Sequence, residues 1–118
     1  MAWKIVRLEL ASNGEFPRGS VGRSYLIRLP LTKGGMIDDA QLGREPDRAT
    51  VRRFWASEPD ATGYFSRDLS GYAIRGDGDG SAQTRLVQFN DDEIRLGDQV
   101  MMKEPDGTQM SFRVASVG

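Results

Sequence analysis

The stretch "VMMKEPDGTQMSFRV", residues 100–114, decides the fold of this chain. Before the turn, Val100 and Met102 alternate with Met101 and Lys103. After it, Met110, Phe112 and Val114 alternate with Ser111, Arg113 and Ala115. Successive side chains of a β-strand point to opposite faces, so an alternation of this kind predicts two strands that each bury one face. The two runs are too close in the chain for a crossover, and they therefore predict an antiparallel hairpin.

The tetrapeptide "EPDG", residues 104–107, supplies the turn of this hairpin. Pro105 pre-sets the first central φ of a type I turn, and Asp106 suits the next position. Gly107 accepts the positive φ of a bulge at the start of the returning strand. The turn chemistry and the strand pattern agree, which makes this hairpin the anchor of the fold prediction.

The same period of two recurs along the chain, separated by turn residues every 8 to 12 positions. One segment, residues 38–45, predicts a short helix that Asp38 or Asp39 caps and that Gly43 and Pro46 end early. Ile94 and Leu96 are expected to plug the core from a turn. Further strands are predicted at residues 3–10, 25–31, 50–56, 64–69, 71–75 and 84–89.

These elements predict a single domain, residues 1–118, that is mainly β and α+β at the margin. With six to eight short strands and no long crossovers, the sheet should be antiparallel. We expect a small curved sheet or a partly open barrel, because a long exposed sheet edge invites aggregation.

The composition narrows the possible functions. With 16 basic and 17 acidic residues in 118, the net charge is -1, which provides no global attraction to nucleic acid or to an anionic membrane. The chain has no Cys and no His, so thiolate nucleophiles, the commonest acid–base side chain and the usual zinc ligand sets are all excluded. We expect no cofactor, and we lean towards a protein that is not an enzyme.

The first ten residues, "MAWKIVRLEL", alternate in the manner of a strand. They do not show the charged head and apolar block of a signal peptide. No apolar run approaches the 18 residues that indicate a membrane-spanning helix. A cytoplasmic location without membrane contact is therefore the expectation.

Two stretches, "ATVRRFWASEPDATGYF" (49–65) and "LGDQVMMKEPDGTQMSFRVASV" (96–117), resemble a group of short uncharacterised proteins from alphaproteobacteria. The run Arg52 to Trp55 followed by Glu58, Pro59 and Asp60 is the more specific part of the resemblance. It implies a soluble bacterial domain and no known activity, and it carries over no catalytic residues.

The segment "VRRFW", residues 51–55, is the leading candidate for a binding surface. It combines Arg52, Arg53 and Trp55 in one strand, and Tyr64 and Phe65 in the next strand could extend the surface. Our first hypothesis is a non-enzymatic module that binds a protein partner or itself there. An alternative is single-stranded nucleic-acid binding by stacked aromatics and Arg. A third interpretation is a core strand with a buried aromatic ring and Arg lying over it.

Two further hypotheses rest on carboxylates. Asp77 and Asp79 in "RGDGDG" are weak candidates for a cation site, but the calcium-loop pattern fails at Ala82 and Gln88, so no metal site is predicted. An enzyme using carboxylates, Arg and a Tyr hydroxyl ranks last, because no nucleophile motif or phosphate loop is present.

Overall fold

Eight antiparallel strands form a closed barrel in which each strand pairs with its neighbours along the chain and the last pairs with the first. This is a computed structural model that describes residues 1–11, 20–56, 58–76, 83–88 and 93–118. The mainly β, antiparallel fold with a short helix is confirmed, and the sheet closes completely. The strands are β1 Ala2–Leu10, β2 Ser20–Leu31, β3 Thr50–Trp55, β4 Ala61–Asp68, β5 Gly71–Gly76, β6 Gln83–Gln88, β7 Gln99–Lys103 and β8 Gln109–Val117.

The residues that alternate along each strand face either the barrel interior or its outer wall. The inward positions of the last hairpin are buried, whereas Met101 and Arg113 on its other face remain accessible. In an eight-stranded barrel the interior is just wide enough for side chains to fill. The buried apolar side chains of seven of the strands therefore form one core, against which the partly buried Leu86 of β6 packs. Its members are Val6, Leu8, Leu10, Tyr25, Ile27, Leu29, Leu31, Val51, Trp55, Phe65, Tyr72, Ile74, Val100, Met102, Phe112 and Val114.

The predicted turn of the last hairpin is confirmed in detail. The Gly107 N–H donates to the carbonyl of Glu104 at 2.9 Å, and the Glu104 N–H donates to the carbonyl of Thr108 at 2.8 Å. Gly107 has a φ of 91°, in the left-handed region that favours glycine. The hairpin places the Glu104 side chain at the end of the barrel where β7 turns into β8.

One end of the barrel, which we call the base, is covered by the long connection between β2 and β3. This connection contains α1 (Asp39–Arg44) and a 3-10 turn (Pro46–Arg48). The predicted cap is Asp38, whose side chain accepts a hydrogen bond from the Gln41 N–H at 3.0 Å. The helix ends at Arg44, as the neighbouring glycine and proline predicted.

Four apolar side chains from connecting segments, Ile37, Leu42, Ala49 and Ile94, are buried in the core at the base. The Ile94 N–H donates to the Gly35 carbonyl at 2.7 Å, which ties the β6–β7 connection to the β2–β3 connection. The expected plug is therefore half right: Ile94 is buried, but Leu96 is 68% exposed. No helix within the described ranges is long and apolar enough to cross a membrane.

Polar contacts also hold α1 against the base. The Tyr72 hydroxyl donates to Asp39 Oδ1 at 2.7 Å, and the Arg67 guanidinium pairs with the other carboxylate oxygen of Asp39. The helix carboxylate thus receives a hydroxyl donor from β5 and a cation from β4. The opposite end, which we call the mouth, lies where β3 turns towards β4, β5 towards β6, and β7 towards β8.

Candidate functional site at the mouth of the barrel

The five residues proposed for a binding surface do not share one surface. Arg52 and Tyr64 lie on the outer wall, and Tyr64 is 41% exposed. Trp55 and Phe65 are only 7% and 1% exposed, with their side chains inside the barrel. The alternation that separates the two faces of a strand also separates these residues, so they do not form one continuous surface. Of the three interpretations of this strand, the core strand describes Trp55 best.

The buried aromatics form two clusters in the core. The Trp55 ring centroid lies 5.6 Å from that of Tyr25 and 6.2 Å from that of Phe112. Phe65 stacks on Tyr72 with a centroid separation of 5.2 Å. Pairs of this geometry contribute about 0.5–1.5 kcal/mol beyond their buried area, so these rings stabilise the fold.

The two arginines of the segment each face a carboxylate. Arg52 Nη2 lies 3.4 Å from Asp60 Oδ2, and Arg53 Nη1 lies 3.1 Å from Glu58 Oε2. Both partners belong to the "SEPD" connection that follows the strand. A platform for single-stranded nucleic acid needs cationic and aromatic groups side by side. Arg52 does lie 5.0 Å from the Phe54 ring centre, but its charge is paired with Asp60, and nucleic-acid binding stays a prediction. A protein partner on the outer wall around Arg52 and Tyr64 stays a prediction.

The mouth contains a cavity of about 280 Å³. Its apolar walls come from Val51 on β3 and Ile74 on β5. It reaches the surface beside Ala61, Gly76 and Pro105, all of which are exposed. The volume is slightly below the roughly 300–1,000 Å³ of ordinary small-molecule sites, which matches a fragment-sized ligand.

Three polar side chains meet at this cavity. The Tyr25 hydroxyl of β2 donates to Glu104 Oε1 at 3.0 Å, and the Thr84 hydroxyl of β6 donates to Glu104 Oε2 at 3.0 Å. Each carboxylate oxygen therefore holds one hydroxyl, and further lone pairs remain because a carboxylate can accept about four hydrogen bonds. Two strands and one turn, all of them rigid elements, fix the position of the carboxylate.

The electrostatic environment keeps the Tyr25 hydroxyl protonated. Burial raises the pKa of Tyr25 above its ordinary value, and the nearby Glu104 charge and the hydrogen bond to it raise the pKa further. The Arg53 guanidinium, which neighbours Tyr25 across β2 and β3, acts in the opposite direction on this pKa. Tyr25 is thus a stable donor to Glu104 and is unsuited to act as a base near neutral pH.

Arg53 also lines the cavity, with its guanidinium 3.8 Å from the centre of the Trp55 ring. Its charge is balanced by Glu58 on the rim. Glu104, in contrast, forms no ion pair with any Lys or Arg of the described residues. Glu104 is partly buried, and its charge is met in the described structure by hydroxyl dipoles alone.

Gly63 allows the wall to close beside the cavity. A Cβ at this position would lie 2.1 Å from the carbonyl oxygen of Arg75, a backbone atom of the paired strand β5. Only glycine permits this approach of the two strands. The pairing of Gly63 with Gly76 therefore shapes one side of the cavity.

Asp77 and Asp79, the weak cation-site candidates, lie outside the described residues. Among the residues that the structure does describe, no group of three or more acidic side chains is placed to hold a metal ion. The described lining of the mouth offers the Glu104 carboxylate, the Arg53 guanidinium and the hydroxyls of Tyr25, Thr62 and Thr84, which can form hydrogen bonds and ion pairs.

Sequence analysis missed Thr84 and Glu104 as members of a site. Glu104 read as the first residue of a turn, and Tyr25 only as one of the hydroxyls available to an enzyme. The Tyr25–Glu104 contact spans 79 positions and the Thr84–Glu104 contact spans 20, so no local motif joins them. The sequence contained one local signal: Glu104 directly follows β7 and continues the alternation of its inward positions, Val100 and Met102.

No protein-family model, curated protein or solved structure matches the chain. The resemblance to alphaproteobacterial proteins stays an expectation, and the function must be argued from the geometry of the site.

Proposed function

We propose that this protein is a non-enzymatic binding module that takes a small organic ligand into the mouth of its barrel. The observation that carries the proposal is the Glu104 carboxylate, anchored by two hydroxyls inside an apolar-walled cavity. Binding sites for small molecules combine apolar walls with a few fixed polar groups. The mouth has this composition. A second cavity, of about 370 Å³, lies beside α1 at the base, but its carboxylate Asp39 is already paired with Arg67.

Binding accounts for these groups better than catalysis does. A general base or acid needs a second reactive group within reach of the reacting atom. The hydroxyls of Tyr25 and Thr84 both donate to Glu104, and burial disfavours the ionised form of Tyr25. The groups are arranged to hold a carboxylate in place, which favours recognition.

The proposal predicts that small molecules stabilise the protein only when the mouth is open. A thermal-shift screen of fragments of positive, neutral and negative charge would compare the wild type with Ala61→Phe. Ala61 lines the mouth opposite Arg53 on the paired strand, and a phenyl group there should fill the cavity. Hits that raise the Tm of the wild type should not raise that of the variant, because ligand binding to the folded state is the source of the shift.

The matched control is Ala40→Phe, which places the same side chain on an exposed residue of α1 at the base. This control should respond to ligands as the wild type does. Hits that stabilise Ala61→Phe as strongly as the wild type would place the ligand elsewhere and contradict the proposal. A screen without hits for any charge class would contradict it as well.

A further inference from the structure

The described residues form two Tyr–carboxylate pairs, one at each end of the barrel. The two carboxylates differ in whether a cation pairs with them. At the base, Asp39 accepts the Tyr72 hydroxyl and pairs with Arg67. At the mouth, Glu104 accepts the Tyr25 and Thr84 hydroxyls, and no cation of the described residues pairs with it. The base therefore contains its own counter-ion, whereas the described part of the mouth contributes none to Glu104.

We infer that the mouth binds the cationic head of its ligand: a protonated amine or an amidinium, carried on a small apolar body. This inference rests on the proposed function, because it names the ligand class of the same cavity. The N–H groups of the head would donate to the lone pairs of Glu104 that Tyr25 and Thr84 leave unused. The apolar body would lie against Val51 and Ile74.

Among the described lining residues, Arg53 is the one other charged group, and its charge is already balanced. Arg53 could attract an anion, but its guanidinium is paired with Glu58 and lies over the Trp55 ring. An anion would have to displace Glu58 and would also approach Glu104. A cation meets a carboxylate that no described Lys or Arg pairs with, in a partly desolvated site where charge-assisted hydrogen bonds are strong.

The anchoring of Glu104 strengthens the argument. A carboxylate that is held by hydroxyls from two different strands loses little freedom when a ligand binds, and preorganisation of this kind increases affinity. Tyr25 and Thr84 are themselves buried, so their hydroxyls keep this geometry in the free protein. The base shows what the same arrangement looks like once a guanidinium completes it.

Three probes of nearly equal shape test the inference: benzylammonium, benzyl alcohol and benzoate, titrated at about pH 7 and constant ionic strength. Trp3→Phe leaves Trp55 as the only Trp of the chain, and excitation at the long-wavelength edge separates its emission from that of the three Tyr. Trp55 contacts both Tyr25 and Arg53 and reports on the mouth. We expect benzylammonium to bind about tenfold more tightly than benzyl alcohol, and benzoate to bind most weakly.

Glu104→Gln keeps an oxygen for the two hydroxyls but removes the charge, so its Kd for benzylammonium should rise to that for benzyl alcohol. The matched control, Asp47→Asn, removes an exposed carboxylate on the 3-10 turn at the base, and it should keep the preference for the cation. Circular dichroism and Tm would verify that both variants fold.

The outcomes separate this inference from the proposed function. Equal affinities for the three probes, or a preference for benzoate, with binding lost in Ala61→Phe, would overturn the cationic ligand and leave the mouth as the site. An unchanged preference in Glu104→Gln would overturn the inference as well. No binding of any probe at up to about 10 mM would also reject it, and the fragment screen then decides on the proposed function.

Discussion

Each end of the barrel holds a carboxylate against a Tyr hydroxyl, but the two ends differ in what balances the negative charge. Both present a carboxylate to a Tyr hydroxyl, at 2.7 Å between Tyr72 and Asp39 at the base and at 3.0 Å between Tyr25 and Glu104 at the mouth. The base adds Arg67 and covers the barrel with α1. The mouth adds a hydroxyl and leaves a cavity of about 280 Å³. A cavity of about 370 Å³ also lies beside α1 at the base, so the two ends differ in the cation that pairs with Asp39 and that no described residue supplies to Glu104.

This division has an energetic basis. Buried apolar side chains from connecting segments complete the core at the base, and such burial is the main source of stability. A cavity next to a charged group contributes no packing and therefore weakens the fold locally. Natural proteins tolerate that weakness where function requires open space.

The largest loss of stability is expected when the packing of α1 against the base is weakened. Leu42 on α1 is 4% exposed, and Leu42→Ala should lower the free energy of unfolding by about 2–5 kcal/mol through lost burial and a new cavity. Urea unfolding monitored by circular dichroism measures this loss. Leu96→Ala is the matched control, because Leu96 belongs to the β6–β7 connection at the same end and is mostly exposed; its effect should stay within about 0.5 kcal/mol.

Equal losses for the two variants would show that α1 does not seal the base. The contrast between the ends would then fail, since the helix would be an attachment to the barrel.

A smaller effect is expected at the wall of the mouth. Gly63→Ala would place a methyl group 2.1 Å from the Arg75 carbonyl oxygen, so the backbones of β4 and β5 must separate. We expect a loss of about 1–3 kcal/mol, as for other substitutions that overfill a packed site. The same Gly→Ala change at Gly43 in α1, where nothing lies within 4 Å, should stabilise the protein by about 0.5–1 kcal/mol.

Denaturant unfolding under identical conditions should show changes of opposite sign in the free energy of unfolding for the two substitutions. If Gly63→Ala stabilised the protein as Gly43→Ala does, the close approach of β4 and β5 would be refuted, together with the shape that it imposes on the cavity.

The elements of the fold were predictable because their signals are local. Alternation identified the strands, the Pro105 and Gly107 turn identified the last hairpin, and Asp38 marked the helix cap. The closure of the barrel was left open, because the pairing of β1 with β8 joins opposite ends of the chain and depends on register and twist.

The site was not predictable for a similar reason. Alternation separates Trp55 from Arg52, but it does not state which face lies inside, and the aromatic and Arg-rich composition drew attention to the wrong combination of residues. Glu104 gains its role only when the closed sheet brings β2 and β6 to the same turn. The interior position of Ile94 and the exposure of Leu96 likewise depend on the long connections at the base.

The smallest predicted effect concerns pH and the mouth alone. Burial raises the pKa of Tyr25 in the folded state, so the phenol ionises more readily in the unfolded chain, near its ordinary value of about 10. Below this pH both states are protonated and the contribution to stability is complete. As the pH rises above it, the unfolded chain releases its proton first, and the free energy of unfolding should fall by about 1 kcal/mol by pH ~11.

Guanidinium unfolding at several alkaline pH values should show a shallower decline for Tyr25→Phe, whereas Tyr64→Phe, which removes an exposed hydroxyl, should follow the wild type. Identical slopes for all three proteins would mean that water reaches the Tyr25 hydroxyl as freely in the folded state, and the desolvated carboxylate on which cation binding depends would lose its physical basis.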